Sequence, residues 1–172
     1  MTEPTSEAKR DGGFALDGEI RDGGHVMPVR VYYEDTDFSG IVYHANYLRF
    51  MERGRTNYLR LLGADHRALF EETRREAPGF AFVVRSMALE FLRPAYMGDV
   101  LQVITTPHEV KGASITLIQR VERERQALVE ARVRVAFVSG GKAQRIPKPL
   151  RLAMESGRAQ QRPPAEQRIE ES

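Results

Sequence analysis

Residues 29–62, VRVYYEDTDFSGIVYHANYLRFMERGRTNYLRLL, contain the change of period that decides the fold. Val29, Val31 and Tyr33 alternate with Arg30, Tyr32 and Glu34, the pattern of a strand with one buried face. A polar turn, DTDFSG, follows at 35–40. From about Tyr43 the apolar positions recur at spacings of three and four, through Tyr47, Phe50, Met51, Gly54, Tyr58, Leu61 and Leu62, which is one face of a long helix. Glycine inside a helix costs about 1 kcal/mol against alanine unless something, such as a sheet, packs closely on it, so Gly54 calls for a close neighbour on that face. Gly63 reads as the stop signal, and Asp65 to about Arg75 as a second, shorter helix ending before Pro78.

Downstream the period returns to two. Phe80 to Arg93 is rich in β-favouring residues and is broken by Pro94. Val100 to Val110 reads as a strand ended loosely near Pro107, and Ile115, Leu117 and Val121 alternate with Thr116 and Arg120. Val129, Ala131, Val133, Val135 and Phe137 point one way while Glu130, Arg132 and Arg134 point the other. One buried face and one wet face mark an antiparallel sheet. The order strand, long helix, then a run of strands predicts an α+β fold with the helix packed on one sheet face.

The chain has 172 residues, 41% hydrophobic and 29% charged, enough for one domain with a core and too apolar for a wholly disordered chain. Residues 1–26, rich in Gly, Asp, Glu and Ser, read as a loose arm, and 155–172, with a Pro pair and alternating charge, as a second tail. The folded unit is therefore expected at 27–154. No apolar run approaches the roughly 18 residues that a spanning helix needs. The start, MTEPTSEAKR, lacks the apolar segment of a secretory signal, so a cytoplasmic location is expected. With no cysteine there is no disulfide, thiolate metal site or thiol nucleophile. The net charge is +2, with lysine only at 9, 111, 142 and 148 and arginine elsewhere. Arginine forks suit an anionic ligand, while so mild a balance argues against a dedicated nucleic-acid binder.

The segment EDTDFSGIVYHANY, 34–47, joins strand to helix and holds the densest functional signal. DTDFSGIV matches the first eight positions of an EF-hand calcium loop, but the closing position, which needs a bidentate Glu, is Asn46. An Asp-x-Asp after a strand also suits aspartyl-phosphate chemistry, yet the downstream GDVLQ at 98–102 supplies only Asp99 of the acidic pair that chemistry needs. VSGGK at 138–142 lacks the early Gly and the Ser/Thr of a P-loop. Asp37 reads either as a turn cap or as the reactive group. In the second reading it stands beside helix-terminal N–H groups that have no intrahelical partner. Donors at Tyr43 and His44 would hold an oxyanion while Asp37 attacks a carbonyl or deprotonates a water, a pairing that suits acyl transfer.

The run VYYEDTDFSGIVYHANYLRFMERGRTNYL at 31–59 resembles the YbgC-like acyl-CoA thioesterases, a branch of the 4-hydroxybenzoyl-CoA thioesterase family with the hotdog fold. The shared features are the Asp-x-Asp, Gly40, the Val-Tyr-His of 42–44, Tyr47 and the Glu-Arg-x-Arg of 52–55. FVVR at 82–85, FLRPA at 91–95, the Gly-Asp of 98–99, KGAS at 111–114 and PKPL at 147–150 follow in order, so that the resemblance spans about 28–154. It implies a long helix wrapped by an antiparallel sheet, in homodimers or dimers of dimers whose active sites lie at the subunit interface. The implied reaction is hydrolysis of an acyl-CoA to free acid and coenzyme A. No metal or separate cofactor is implied, coenzyme A being part of the substrate.

By the same resemblance the catalytic carboxylate falls on Asp37 and the oxyanion amide on His44, while Gly40 permits the sharp turn. The His44 side chain reads as a turn or interface residue, or as a hydrogen-bond partner of the substrate or carboxylate; Tyr43 reads as a pocket or interface wall. Tyr47 belongs to the matched motif and is counted with the substrate-binding residues. A related branch has an Asp matching Glu52, where it meets the acyl group from the neighbouring subunit; Glu52 reads either so or as an ion-paired residue beside Arg53 and Arg55. Lys111 and Ser114, flanking a turn at Gly112, are implied to touch the nucleotide of coenzyme A, with Lys148 and Arg145 behind them; the other reading of all four is solvated surface. Acyl carrier protein is an alternative carrier. Family members are associated with the Tol-Pal envelope system, which points to the inner membrane. The rival reading is a non-catalytic acyl-CoA or acyl carrier protein binding scaffold on the same fold.

Overall fold

The computed structural model describes residues 16–159; positions 1–15 of the expected arm and 160–172 of the expected tail lie outside the described residues. Seven strands form one sheet: β1 (Glu19–Arg21), β2 (Gly24–Arg30), β3 (Ala81–Phe91), β4 (Val100–Val110), β5 (Ser114–Arg123), β6 (Gln126–Ser139) and β7 (Lys142–Ala143). Every pairing is antiparallel, in the order β1-β2-β4-β5-β6-β3, with the short β7 beside β6. The helices are α1 (His44–Asp65), α2 (Arg67–Glu76) and α3 (Lys148–Ala159).

The alternation along β6 is realised as expected. Val129, Ala131, Val133, Val135 and Phe137 are buried, while Arg132 and Arg134 are exposed. The buried side packs under α1, which contributes Tyr47, Phe50, Met51, Tyr58 and Leu62 to the core. Gly54 sits where the helix comes nearest the sheet: a Cβ there would meet Val103 Cγ1 at 3.0 Å and Thr105 Oγ1 at 3.1 Å. Beside it a polar chain crosses the core. Arg55 Nη1 donates to Gln119 Oε1 (2.7 Å), and Gln119 Nε2 donates to the Met51 carbonyl (2.9 Å) and to Thr105 Oγ1 (2.8 Å). A buried guanidinium and amide are tolerable because each is paired.

β3 lies at one edge of the sheet and is exposed along most of its length, including Val83, Val84 and Phe91. An edge strand this long and apolar is a template for a further strand.

The structure corrects five local expectations. The first strand ends at Arg30; Tyr33 lies in a 3-10 turn, Tyr33–Asp35, and is exposed, because the chain must bend toward the helix start. α1 runs past Gly63 to Asp65, since Phe70 of α2 packs against Gly63 and supports the last turn. β4 passes through Pro107, absorbing it at a register shift between Pro107 and Glu109. Residues 19–26 belong to a β1–β2 hairpin, turned at Asp22 and Gly23 with φ of 50° and 72°. Lys148 opens α3, which carries the fold past the expected boundary at 154 to Ala159 through buried Leu150 and Met154.

Candidate active site

Asp37 occupies the tip of a tight loop. Its N–H donates to the Ile41 carbonyl (2.9 Å), and the Gly40 N–H donates back to the Asp37 carbonyl (3.0 Å). Gly40 has φ of 80°, the left-handed conformation that a side chain resists, so glycine is required by the backbone even though a Cβ would meet nothing within 4 Å. Thr36 bridges to Val42 across the loop, and Ile41 to Tyr96.

The Asp37 carboxylate is exposed and takes two bonds on Oδ1, from the Ser39 backbone N–H (2.8 Å) and from the Ser39 hydroxyl. The Ser39 hydroxyl, then the Ser39 amide, hold this carboxyl below the usual carboxylate range, and the nearby His44 ring adds to the effect. Asp37 is therefore an anion at neutral pH, with a fixed orientation.

α1 starts opposite this loop without a side-chain cap. The Asn46 N–H closes onto the Tyr43 carbonyl (2.9 Å), which leaves the His44 and Ala45 N–H groups without an acceptor among the described residues. The expected Tyr43 donor is corrected: its N–H already donates to the Asp35 carbonyl (2.9 Å). That carbonyl also accepts from Asn46 Nδ2 (2.9 Å), while the Asp35 carboxylate accepts from the Tyr32 N–H (2.9 Å). The two acids of the Asp-x-Asp thus divide their work: Asp35 ties the loop to the helix start and Asp37 faces solvent. The His44 ring packs 4.5 Å from that of Tyr43 and meets Phe91 edge-on at 6.2 Å.

Tyr47 is buried; its hydroxyl accepts the Ala95 N–H (3.2 Å), and it pins the loop after β3 from inside the core. Burial pushes its pKa up. Glu52 is exposed and ion-paired with Arg55. It lies eight residues along α1 from His44, or about 12 Å at 1.5 Å per residue, so it is not gathered with Asp37 in one protomer.

Lys111 is exposed and pairs with Glu109 at 3.4 Å. Ser114 is buried, contrary to expectation, because the chain before α3 folds over the β4–β5 turn: Ile146 N–H reaches the Gly112 carbonyl at 2.7 Å. Lys148 is exposed in a depression it shares with Arg145, Arg151 and Glu76. The Asp37 loop meets the Val100 end of β4 through Gly98 and Val31, whereas Lys111 follows Val110, ten residues on and about 33 Å away. Ser39, Asn46 and Ala45 were missed from sequence; only Ser39 carried a local signal, the Asp-x-Ser spacing of an Asx turn. Among the described residues no three His, Cys, Asp or Glu side chains gather as metal ligands.

A sheet-wrapped helix whose free N-terminal amides lie opposite a loop-held carboxylate places the chain among hotdog-fold proteins equipped for acyl transfer. Residues 31–156 match the family model of the thioesterase-like superfamily, and the chain belongs to that family. Acyl-CoA thioesterase YbgC of Haemophilus influenzae is 46% identical over 134 residues, covering 77% of this chain and 95% of that protein. Acyl-CoA thioester hydrolase YbgC of Escherichia coli is 45% identical over 112 residues, covering 64% and 79%. Among solved structures, a probable thioesterase from Bartonella henselae superposes with a TM-score of 0.60 at 38% identity, covering 72% of this chain and 98% of that one. A Thermus thermophilus thioesterase complexed with coenzyme A and Zn shares the fold, with a TM-score of 0.66 at 23% identity, covering 83% and 97%.

Proposed function

We propose that this protein is an acyl-CoA thioesterase in which Asp37 acts as nucleophile or general base and the His44 amide, with Ala45 beside it, stabilises the oxyanion. The observation that carries the roles is the pairing of an ionised, oriented carboxylate with helix-start amides that have no acceptor of their own. As a carbonyl carbon becomes tetrahedral, its oxygen gains charge that these donors and the positive end of α1 stabilise. The leaving thiolate has a conjugate pKa of about 8.5, so it departs with little protonation and needs no dedicated acid. The relatives named as acyl-CoA thioesterases support the reaction and the carrier.

The working unit of this proposal is a homodimer. Around Asp37 the protomer exposes Tyr32, Tyr33, Phe38, Tyr43, Phe91 and Met97, an apolar collar of the kind that monomers rarely leave uncovered. β3 offers the free edge for pairing with a second copy. Antiparallel pairing about the middle of β3 brings the Phe91 end of one copy to the Phe82 end of the other, so that Asp37 of one faces Glu52 of the other. Lys111 and Lys148 then come to the side from which coenzyme A phosphates approach. Acyl carrier protein as carrier, a cytoplasmic location and Tol-Pal association at the inner membrane rest on family resemblance alone. No helix among the described residues is long and apolar enough to cross a membrane.

Free-thiol release should be measured across acyl-CoA and acyl carrier protein thioesters, for the wild type and Asp37→Asn, with mass measured by light scattering. Turnover that falls by about 10² to 10⁴ in the variant supports the reading. Equal silence of both proteins with retained acyl-CoA binding would instead make this a binding scaffold.

A further inference from the structure

Both feet of the segment that carries Asp37 stand on residues 95–99. At the front, the Val31 N–H donates to the Asp99 carbonyl (2.9 Å) and the Gly98 N–H to the Val31 carbonyl (2.8 Å). At the rear, Ile41 bridges to Tyr96, and the Val42 N–H donates to the Ala95 carbonyl (2.9 Å). Val42 lies two residues before His44, whose amide opens α1. Asp37 to Gly40 are exposed, so the separation between the carboxylate and that amide is set at these feet and not by packing over the loop.

The 95–99 turn is itself held. Tyr47 takes the Ala95 N–H from inside the core (3.2 Å), and Arg30 Nη1 adds a longer bond to the Gly98 carbonyl (3.4 Å). Asp99 Oδ2 accepts the Tyr96 N–H (2.9 Å) and, at 2.6 Å, Nη1 of Arg123, the last residue of β5. The side chains of this ion pair are 27% and 23% exposed, so solvent screens them weakly and loss of one partner leaves the other charge poorly solvated. The end of β5 is irregular around Arg123. Its register with β6 shifts between Val121 and Glu122, and the turn that follows uses Glu124 and Arg125 at φ of 51° and 66°, values that residues with a side chain rarely adopt. Strain of this kind persists where neighbouring contacts hold it, and the Arg123–Asp99 bond is one such contact.

We propose that Arg123 is a positioning residue: acting through Asp99 it holds residues 95–99 in place, and so sets the distance at which the Asp37 carboxylate stands from the His44 amide. The inference rests on the thioesterase reading of those two groups. Arg123 meets Asp99 and neither reacting group, so its effect falls on the alignment of attack. That alignment counts in the transition state and leaves ground-state binding of the acyl-CoA largely alone.

The test follows thiol release by the full-length protein from straight-chain acyl-CoAs, acetyl to dodecanoyl, with kinetic constants taken on the fastest substrate and folding checked by urea titration. Arg123→Met should lose about 10 to 10² in kcat, with KM within about threefold of the wild type. Arg123→Lys should recover most of that loss, because a single bond to one carboxylate oxygen can be made by an ammonium as well as by a guanidinium. Asp99→Asn keeps an acceptor for the Tyr96 N–H and removes the charge; it should show the same loss in kcat and add little to Arg123→Met. It carries the test alone if Arg123→Met lacks a cooperative urea transition. A kcat within about twofold of the wild type in folded Arg123→Met would overturn the inference. So would a loss that falls equally on KM and that lysine does not recover. Asp37→Asn, run beside these, separates the two readings: turnover like the wild type would sink the role of Asp37 and this inference with it, whereas an inert Asp37→Asn beside a fully active Arg123→Met would sink this inference alone.

Discussion

The Ser39 backbone N–H and hydroxyl both donate to a single oxygen of Asp37, and among the described residues nothing donates to the other oxygen. The carboxylate is oriented by a neighbour two positions away in its own loop, so a group with no tertiary packing around it still has a defined direction. The free oxygen is the one left for a carbonyl or a water.

Ser39 should therefore govern the acid limb of activity. Asp37 titrates below the ordinary carboxylate value of about 3.9, so activity carried by its anion is present above that pH and is lost only as pH falls through the depressed pKa. Ser39→Ala withdraws the largest cause of the depression, the side-chain bond, and the acid limb of kcat/KM should shift to higher pH. At pH near 7 the anion persists in both proteins, and the rate should change by less than about tenfold. An acid limb that stays in place in Ser39→Ala, with folding verified at each pH, would separate Asp37 from the rate-limiting ionisation.

The oxyanion donor can be deleted without deleting the helix. His44 is the first residue of α1, and Tyr43 before it has φ of −61° and ψ of 130°, the extended conformation preferred before proline. Proline at a first helical position is favourable and removes an N–H that has no intrahelical partner. His44→Pro should fold with near wild-type stability and lose about 10² to 10³ in kcat. His44→Ala, which keeps the amide, isolates the imidazole. If the two variants are equally active, the amide is not the donor.

What was legible from sequence follows the range of the interactions. Within the Asp37 loop the Ser39 and Gly40 contacts join residues three or fewer positions apart, and each keeps its signature. Gly54 announced a close neighbour remote in sequence because a helix-interior glycine needs an external reason, and that neighbour is the sheet at Val103 and Thr105. The Tyr43 amide and Ser114 misled because their fates depend on backbone outside their own turn: the Asp35 carbonyl across the loop, and the segment before α3 over Gly112. The Asp-Gly of 22–23 was a hairpin signal read as a loose arm, since the strands around it are short and its partner, β4, lies some 75 residues away in the chain. α3 was hidden behind Pro149, although proline is at home in a first helical turn and Leu150, Ala153 and Met154 recur at helical spacing.

Close approach at Gly54 has a measurable cost when filled. Val103, Thr105 and Gln119 beneath it are all 0% exposed, and the last two are tied into the hydrogen-bond chain from Arg55, so they cannot withdraw freely. Gly54→Ala gains about 1 kcal/mol of helix propensity but overpacks the contact, which typically costs about 1 to 3 kcal/mol. The net change should be a destabilisation of about 1 kcal/mol, larger for Gly54→Val, seen as a lower urea midpoint at unchanged slope. A Gly54→Ala protein more stable than wild type would mean that the helix and sheet separate more easily than the network allows.

His25 should make stability fall in mild acid. It is fully buried on β2, with Nε2 at 2.6 Å from the Asp17 carbonyl and Nδ1 without any partner among the described residues. Nε2 carries the proton that donates, so a second proton on Nδ1 would place a charge and an unpaired N–H in the core. Burial lowers the pKa, and the Asp17 carbonyl and carboxylate, the latter shared with Arg60 at 2.7 Å, offset it only in part. The neighbouring ring, Tyr58 at 6.3 Å, is neutral: burial pushes its hydroxyl up to about 12. With the folded pKa below the unfolded value of about 6.5, the unfolded chain binds its proton first. Stability is then fully present above about pH 6.5 and declines as pH falls toward the folded pKa. Thermal midpoints between about pH 7.5 and 5.5 should drop in the wild type and drop less in His25→Gln, whatever the absolute stability of the variant. Equal slopes would show that His25 keeps its ordinary affinity for the proton in the fold, and that the β1–β2 hairpin opens enough to hydrate it.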